Sequence, residues 1–198
     1  MLQDASRAMR VIRLNAEKWG LDPNRVGVMG SSAGGHLACS MVTLFEKGDE
    51  KKLDPMERIS TRPDLGILCY TVVTMVGSEF NPGEYCDLES KVALIGEDPS
   101  ADLIQYLSPE KMVSKDTPPC FIWHTLEDND VDLENPIMFM NALRKEKVPF
   151  ELHIFEHGPH GCGLNEHEVE IDGKKVTKVH PWADALVAWL KFRHFIDE

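Results

Sequence analysis

Four short apolar runs recur along this chain: "RVGVMG" (25–30), "LGILCYTVVTM" (65–75), "PCFIWHT" (119–125) and "FELHIFE" (150–156). No other feature restricts the fold as tightly. Runs this short and this continuously apolar suit strands covered on both faces, the situation found inside parallel sheets. Parallel neighbours cannot be joined by a tight turn, so each pair needs a crossover, usually a helix. The segments between the runs have that character. The expected fold is therefore α/β, a mostly parallel sheet flanked by helices, with right-handed crossovers.

The helical segments are read from periodicity. Leu2, Ala5, Met9, Ile12, Ala16 and Trp19 line one face of a single first helix, which Gly20 ends before the turn "LDPN". Ala33 to Phe45 forms a second, with Leu37, Met41, Leu44 and Phe45 inward. Residues 46–64 are polar and loop-like. Residues 77–118 form an excursion with weak helices around Leu88–Ile95 and Ala101–Tyr106. Pro136–Lys147 is a helix whose Ile137, Met140 and Leu143 share one face, and "PWADALVAWLKFRHF" closes the chain, its Trp182 and Trp189 read as core.

A length of 198 residues fits one domain, 1–198, with a real core. The formal charge of −12 argues against nucleic acid, whose phosphates require clustered Lys and Arg. No stretch has the apolar length of a membrane span, and the N-terminus lacks the pattern of a signal peptide. The five cysteines are scattered, without a CxxC pair, so neither a disulfide framework nor a zinc knuckle is indicated. A reducing cytoplasm is the simplest compartment.

The chemistry lies at the strand ends, where sheets of this kind gather their functional loops. Gly30-Ser31-Ser32-Ala33-Gly34 fits G-x-S-x-G, and only Ser32 has glycine two residues away on each side. A sharp strand-to-helix turn strains its central residue and brings the flanking positions close, which glycine tolerates. The pattern alone arises by chance in roughly one chain in fifteen at ordinary Gly and Ser frequencies. Here it also follows a strand and opens a helix, whose N-terminal amides favour the negative charge formed when a hydroxyl attacks a carbonyl. Seryl oxygen needs a base, and the base an orienting acid. Glu127, Asp128 and Asp130 follow the third strand, and His157 and His160 follow the fourth. His153, inside that strand, reads as structural. A metal site from His157, His160, Cys162 and His167 lacks any recognised ligand spacing.

These stretches resemble the α/β-hydrolase superfamily, in particular the esterase/lipase branch that includes acetyl-xylan esterase-like carbohydrate ester hydrolases. The resemblance rests on "DASRAMRVIRLNAEKWGLDPNRVGVMGSSAGGHLA", "RPDLGILCY", "TPPCFIWHT", "ENPIMFMNALRKEKVPFELHIFEHGPHGCGL" and the "W…WL" ending. It implies Ser32 as nucleophile, Asp128 as acid, His160 as base and the Ala33 N–H as an oxyanion-hole donor. It also implies hydrolysis of small acyl esters of carbohydrates through an acyl-enzyme, with a small-molecule ester as partner. A nucleophile, a base and water suffice, so no cofactor is implied.

The chain departs from such relatives in three ways. "EDNDVD" stands where they often read D-D-P-x-V-P, so Asn129 and Asp132 replace prolines and loosen the loop. Thr71 stands where relatives tend to have proline. Nothing before Val26 reads as the usual leading strands or as the glycine-rich loop that donates a second oxyanion N–H. The expectation is an N-terminally truncated form of the fold, with one sheet edge bare. An uncovered edge invites pairing, which leaves homo-oligomerisation through it open. A hydrolase-like fragment serving as a binding or assembly domain is the alternative from another class. A serine peptidase or acyltransferase on the same scaffold is the third.

Overall fold

The computed structural model describes residues 1–76, 85–164, 167–178 and 180–197. Strands β1 (Val28–Ser31), β2 (Gly66–Cys69), β3 (Cys120–Thr125) and β4 (Phe150–Phe155) form one sheet in the order of the chain, every neighbouring pair parallel. The four apolar runs are these four strands. Around them lie α1 (Leu2–Leu14), α2 (Ala16–Trp19), α3 (Ser32–Thr43), α4 (Leu88–Ile95), α5 (Ala101–Tyr106), α6 (Pro109–Met112), α7 (Glu134–Lys145) and α8 (Trp182–Phe192), with a 3-10 turn at Pro55–Arg58.

Period-two alternation divides the core between the sheet's faces. Leu68 of β2 and Cys120 and Ile122 of β3 point to one side, where they pack with Ala38, Cys39 and Val42 of α3 and Phe139 and Leu143 of α7. Ile67, Cys69, Phe121 and Trp123 point to the other, against Trp182, Leu186 and Trp189 of α8. Trp182 stacks on Trp123 with ring centroids 5.0 Å apart, so the two tryptophans of α8 are core. A third cluster, Val72, Met75 and Val131 with Leu94, Ile104 and Leu107, seats α4 and α5 beyond the strand ends.

Several expectations from periodicity are corrected. The first helix is two: Asn15 turns its side-chain amide onto the Val11 carbonyl at 2.8 Å, competing with the backbone, and α2 starts afresh. Trp19 is then half exposed rather than inward. β1 is the bare sheet edge that the truncated form of the fold led us to expect, and not a strand buried on both sides, with Met29 54% exposed. In α3 nearly every position from Gly35 to Thr43 is buried, because the helix lies between the sheet and α1 and α6; Leu44 and Phe45 fall beyond its end and are only half buried. In α7 the buried face is Asn135, Pro136, Phe139 and Leu143, so Ile137 and Met140 flank it.

The apolar run 65–75 contains only four strand residues. At Tyr70 the backbone enters positive φ (34°) and leaves the sheet. Residues 71–75 remain buried with donors paired outside the ladder, Val72 N–H to the Ser32 carbonyl at 3.3 Å and the next three to side chains. Asn135 Oδ1 accepts from the N–H of Val73 and Thr74 at 2.9 and 3.1 Å, and Ser108 Oγ accepts from Met75 N–H at 2.9 Å. Periodicity also misses a hairpin, β5 (His167–Ile171) and β6 (Lys174–Lys178), paired antiparallel. Its turn is Asp172-Gly173, both at positive φ (51° and 73°), the requirement that makes Asp-Gly a hairpin signal.

Candidate active site

The β1–α3 connection has no intervening loop. Ser31 is still extended, Ser32 is at φ 54°, and the helix begins there. The flanking glycines do not share one role. A Cβ on Gly30 would lie 2.1 Å from the Gly34 carbonyl oxygen, so this position tolerates no side chain. A Cβ on Gly34 would meet no atom within 4 Å, which corrects the expectation of crowding there. The glycine needed on the helix side is Gly35, whose Cβ would lie 2.5 Å from Thr71 Oγ1.

Three side chains distant in sequence meet at this elbow. His160 Nε2 lies 2.8 Å from Ser32 Oγ, and His160 Nδ1 lies 2.7 Å from Asp128 Oδ2. Asp128 is buried on the loop after β3. Its Oδ1 accepts from Asp130 and Val131 N–H at 3.0 and 2.9 Å. Asn129 Nδ2 donates to the Glu127 carbonyl, and Asp132 Oδ1 accepts from Glu134 N–H. The loop expected to be loose without its prolines is thus stitched by its own polar side chains, as Asx turns commonly are.

Other sequence candidates fall outside this constellation. His157 Nδ1 contacts Glu127 Oε1 at 2.8 Å, His153 pairs with Glu151, and Ser31 approaches the Tyr70 hydroxyl. Asp130 lines the cavity beside the elbow. No group of three or more His, Cys, Asp or Glu side chains is arranged to hold a metal among the described residues, and the His167 side chain lies outside them.

Two contributors were not singled out from sequence. His124, fully buried at the end of β3, places Nε2 2.9 Å from the Val131 carbonyl and 3.5 Å from Asp128 Oδ2. Burial holds its pKa below the ordinary imidazole range, opposed by the Val131 bond and the Asp128 charge. Tyr70 presents its ring edge-on to His160, centroids 5.1 Å apart, and burial raises its phenol. Both sit at a strand end, the one signal that pointed to them.

A cavity of about 840 Å³ opens beside Ser32 and His160. Leu37, Val72, Met75, Leu94 and Leu107 supply its apolar wall, while Ser90, Asn129 and Asp130 supply polar groups. α4 and the end of α5 thus reach the site from the 77–118 excursion.

A chain-ordered parallel sheet, a serine on a positive-φ elbow and acid and histidine loops beyond the next strand ends together define an α/β-hydrolase. The chain belongs to the BD-FAE family, whose model matches residues 1–143. It is 43% identical over 168 residues to endo-1,4-beta-xylanase B of Butyrivibrio fibrisolvens, a match covering 84% of this chain and 25% of that protein. It is 30% identical over 162 residues to an acetylxylan esterase of Xylanibacter ruminicola, covering 81% and 31%. Among solved structures, an acetyl ester-xyloside bifunctional hydrolase from Caldicellulosiruptor lactoaceticus matches with TM-score 0.87 and 44% identity, covering 99% of this chain and 66% of that one. The chain therefore spans a quarter to about a third of the length of these two curated relatives. No helix among the described residues is long and apolar enough to cross a membrane.

Proposed function

We propose that this chain hydrolyses carboxylic esters, specifically small acyl esters of carbohydrates, through an acyl-enzyme on Ser32. The observation that carries the reading is the continuous pair of hydrogen bonds, 2.8 Å from Ser32 to His160 and 2.7 Å from His160 to Asp128. His160 Nε2 takes the hydroxyl proton as Oγ attacks the ester carbonyl. Asp128 accepts from Nδ1–H, fixing the tautomer and stabilising the imidazolium. The developing oxyanion is received by the Ala33 N–H at the start of α3. His160 then returns the proton to the departing alcohol, and water repeats the sequence to release the acid.

The acetylxylan esterase and acetyl ester-xyloside hydrolase relatives support an acetylated sugar as substrate. The cavity supports the same reading, since its open apolar and polar wall has room for a sugar beside a small acyl group. The shared sheet supports one domain over 1–198, and five free cysteines support a reducing compartment, the cytoplasm.

The test is turnover of p-nitrophenyl acetate together with fluorophosphonate labelling. The expected result is labelling of the folded protein that Ser32→Ala abolishes, with ester turnover falling by about 10⁴-fold or more. A folded chain that takes no label, or a label surviving in Ser32→Ala, would reject the reading.

A further inference from the structure

Two adjacent carboxylates on the loop after β3 each hold a histidine of the loop after β4, and those histidines are three residues apart. Asp128 holds His160, and Glu127 holds His157 through Oε1···Nδ1 at 2.8 Å. The second Glu127 oxygen, Oε2, accepts from Gly158 N–H at 3.1 Å. The other side of that residue is held too, because Thr125 Oγ1 donates to the Gly158 carbonyl at 2.8 Å. The β3–β4 ladder ends one step earlier, at the Leu126 N–H···O=C Phe155 bond of 2.8 Å. Beyond that bond, the described links between the two loops come from side chains.

Gly158 is two residues before His160, and both it and Gly161 adopt positive φ (133° and 74°). A segment with such backbone freedom on each side of its histidine is not self-supporting. Something must fix its entry point before the imidazole can stand in line between Asp128 and Ser32.

We propose that Glu127 and His157 are positioning residues that clamp the entry to the His160 loop and thereby set the reach of the His160 imidazole to Ser32. This rests on the esterase reading above. Neither residue touches the reacting atoms; they act through His160. Because the Glu127 side chain is half exposed, the pair contributes little to global stability, whereas a displacement near 1 Å at the base costs up to about 10²-fold in rate. Its loss therefore registers in kcat.

The experiment compares wild type with Glu127→Ala, His157→Ala, the double variant and His157→Asn, whose amide returns a donor near the Nδ1 position. Measured are kcat and KM for p-nitrophenyl acetate, the fluorophosphonate labelling rate and the melting temperature. Each alanine variant is expected to lose about tenfold or more in both kcat and labelling rate, with KM within about twofold and Tm within a few degrees. The double variant is expected to be no worse than the poorer single one, because both changes release one clamp. His157→Asn is expected to recover most of the loss. Unchanged kcat, losses that multiply in the double variant, a loss confined to KM, failure of His157→Asn to rescue, or a Tm that falls in step with activity would each overturn the clamp while leaving a labelled wild type intact. A wild type that takes no label would remove the esterase reading, and the clamp with it.

Discussion

Ser32 holds its place because Gly30 can sit against the Gly34 carbonyl and the turn can accept a positive φ at a residue with a side chain. The two glycines of the motif should therefore respond oppositely to alanine. Gly30→Ala forces a methyl into backbone and is expected to cost about 1–3 kcal/mol and most of the p-nitrophenyl acetate turnover proposed for the chain. Gly34→Ala meets open space on a helix and is expected to leave the melting temperature within a few degrees of wild type or slightly above it, since alanine is the better helix former. Paired thermal melts and p-nitrophenyl acetate assays check both. Ser32 was legible from its glycine frame at a strand-to-helix turn, while the strand ends narrowed acid and base only to Glu127, Asp128 or Asp130 and His157 or His160, among which the family resemblance implied Asp128 and His160. The division of labour among the glycines was not legible, since it depends on which atoms of Gly34 and Thr71 lie nearby. His124 and Tyr70 were missed for the same reason: a histidine or tyrosine ending an apolar run looks like core until its neighbours are known.

Among the elements, α6 carries a liability. The Glu110 carboxylate is buried, with only the Thr74 hydroxyl and its own backbone N–H near it and Lys111 Nζ 4.0 Å away, too little to offset its desolvation. Burial raises its pKa above the ordinary carboxylate value, so the folded chain holds its proton to higher pH than the unfolded chain does. Stability from this group is thus lost as pH rises through the raised value. Glu110→Gln is expected to raise the melting temperature by a few degrees at pH 7, with the gain vanishing near pH 4, as read by melts across that range. Helices α4 and α5 fall where the sequence reading placed them, and in the structure Asp87 and Ser100 cap them with local side-chain bonds. The run 65–75 was over-read as strand because apolarity reports burial and not pairing. Only the docking of Asn135 and Ser108 shows that Val73 to Met75 are satisfied by side chains.

Across the whole molecule, burial sets the response to pH and to thiol reagents. His36 Nε2–H donates to the Leu107 carbonyl at 2.9 Å, and burial lowers its pKa, as it does for His124. With both values below 6.5, the unfolded chain takes up protons first as pH falls. Stability is therefore expected to decline from about pH 6.5 downward, and urea midpoints measured between pH 8 and pH 5 check it. All five cysteines are buried and free. Burial pushes Cys39 up to about 12 and Cys69 up to about 11, and raises Cys86, Cys120 and Cys162 as well. Native protein at pH 8 is expected to react slowly with Ellman's reagent and to yield five thiols once unfolded. The amino-acid order alone pointed to the four parallel strands, the helical connections and the elbow at Ser32, because hydrophobic period and turn chemistry act locally along a chain, whereas the choice of Asp128 and His160 among their neighbours came from the family resemblance. What only the tertiary structure decided was register and neighbourhood. The burial of α3 on nearly all sides, the exit of the backbone at Tyr70 and the Glu127–His157 contact each arise where segments far apart in sequence compete for the same space, and no local pattern records that competition.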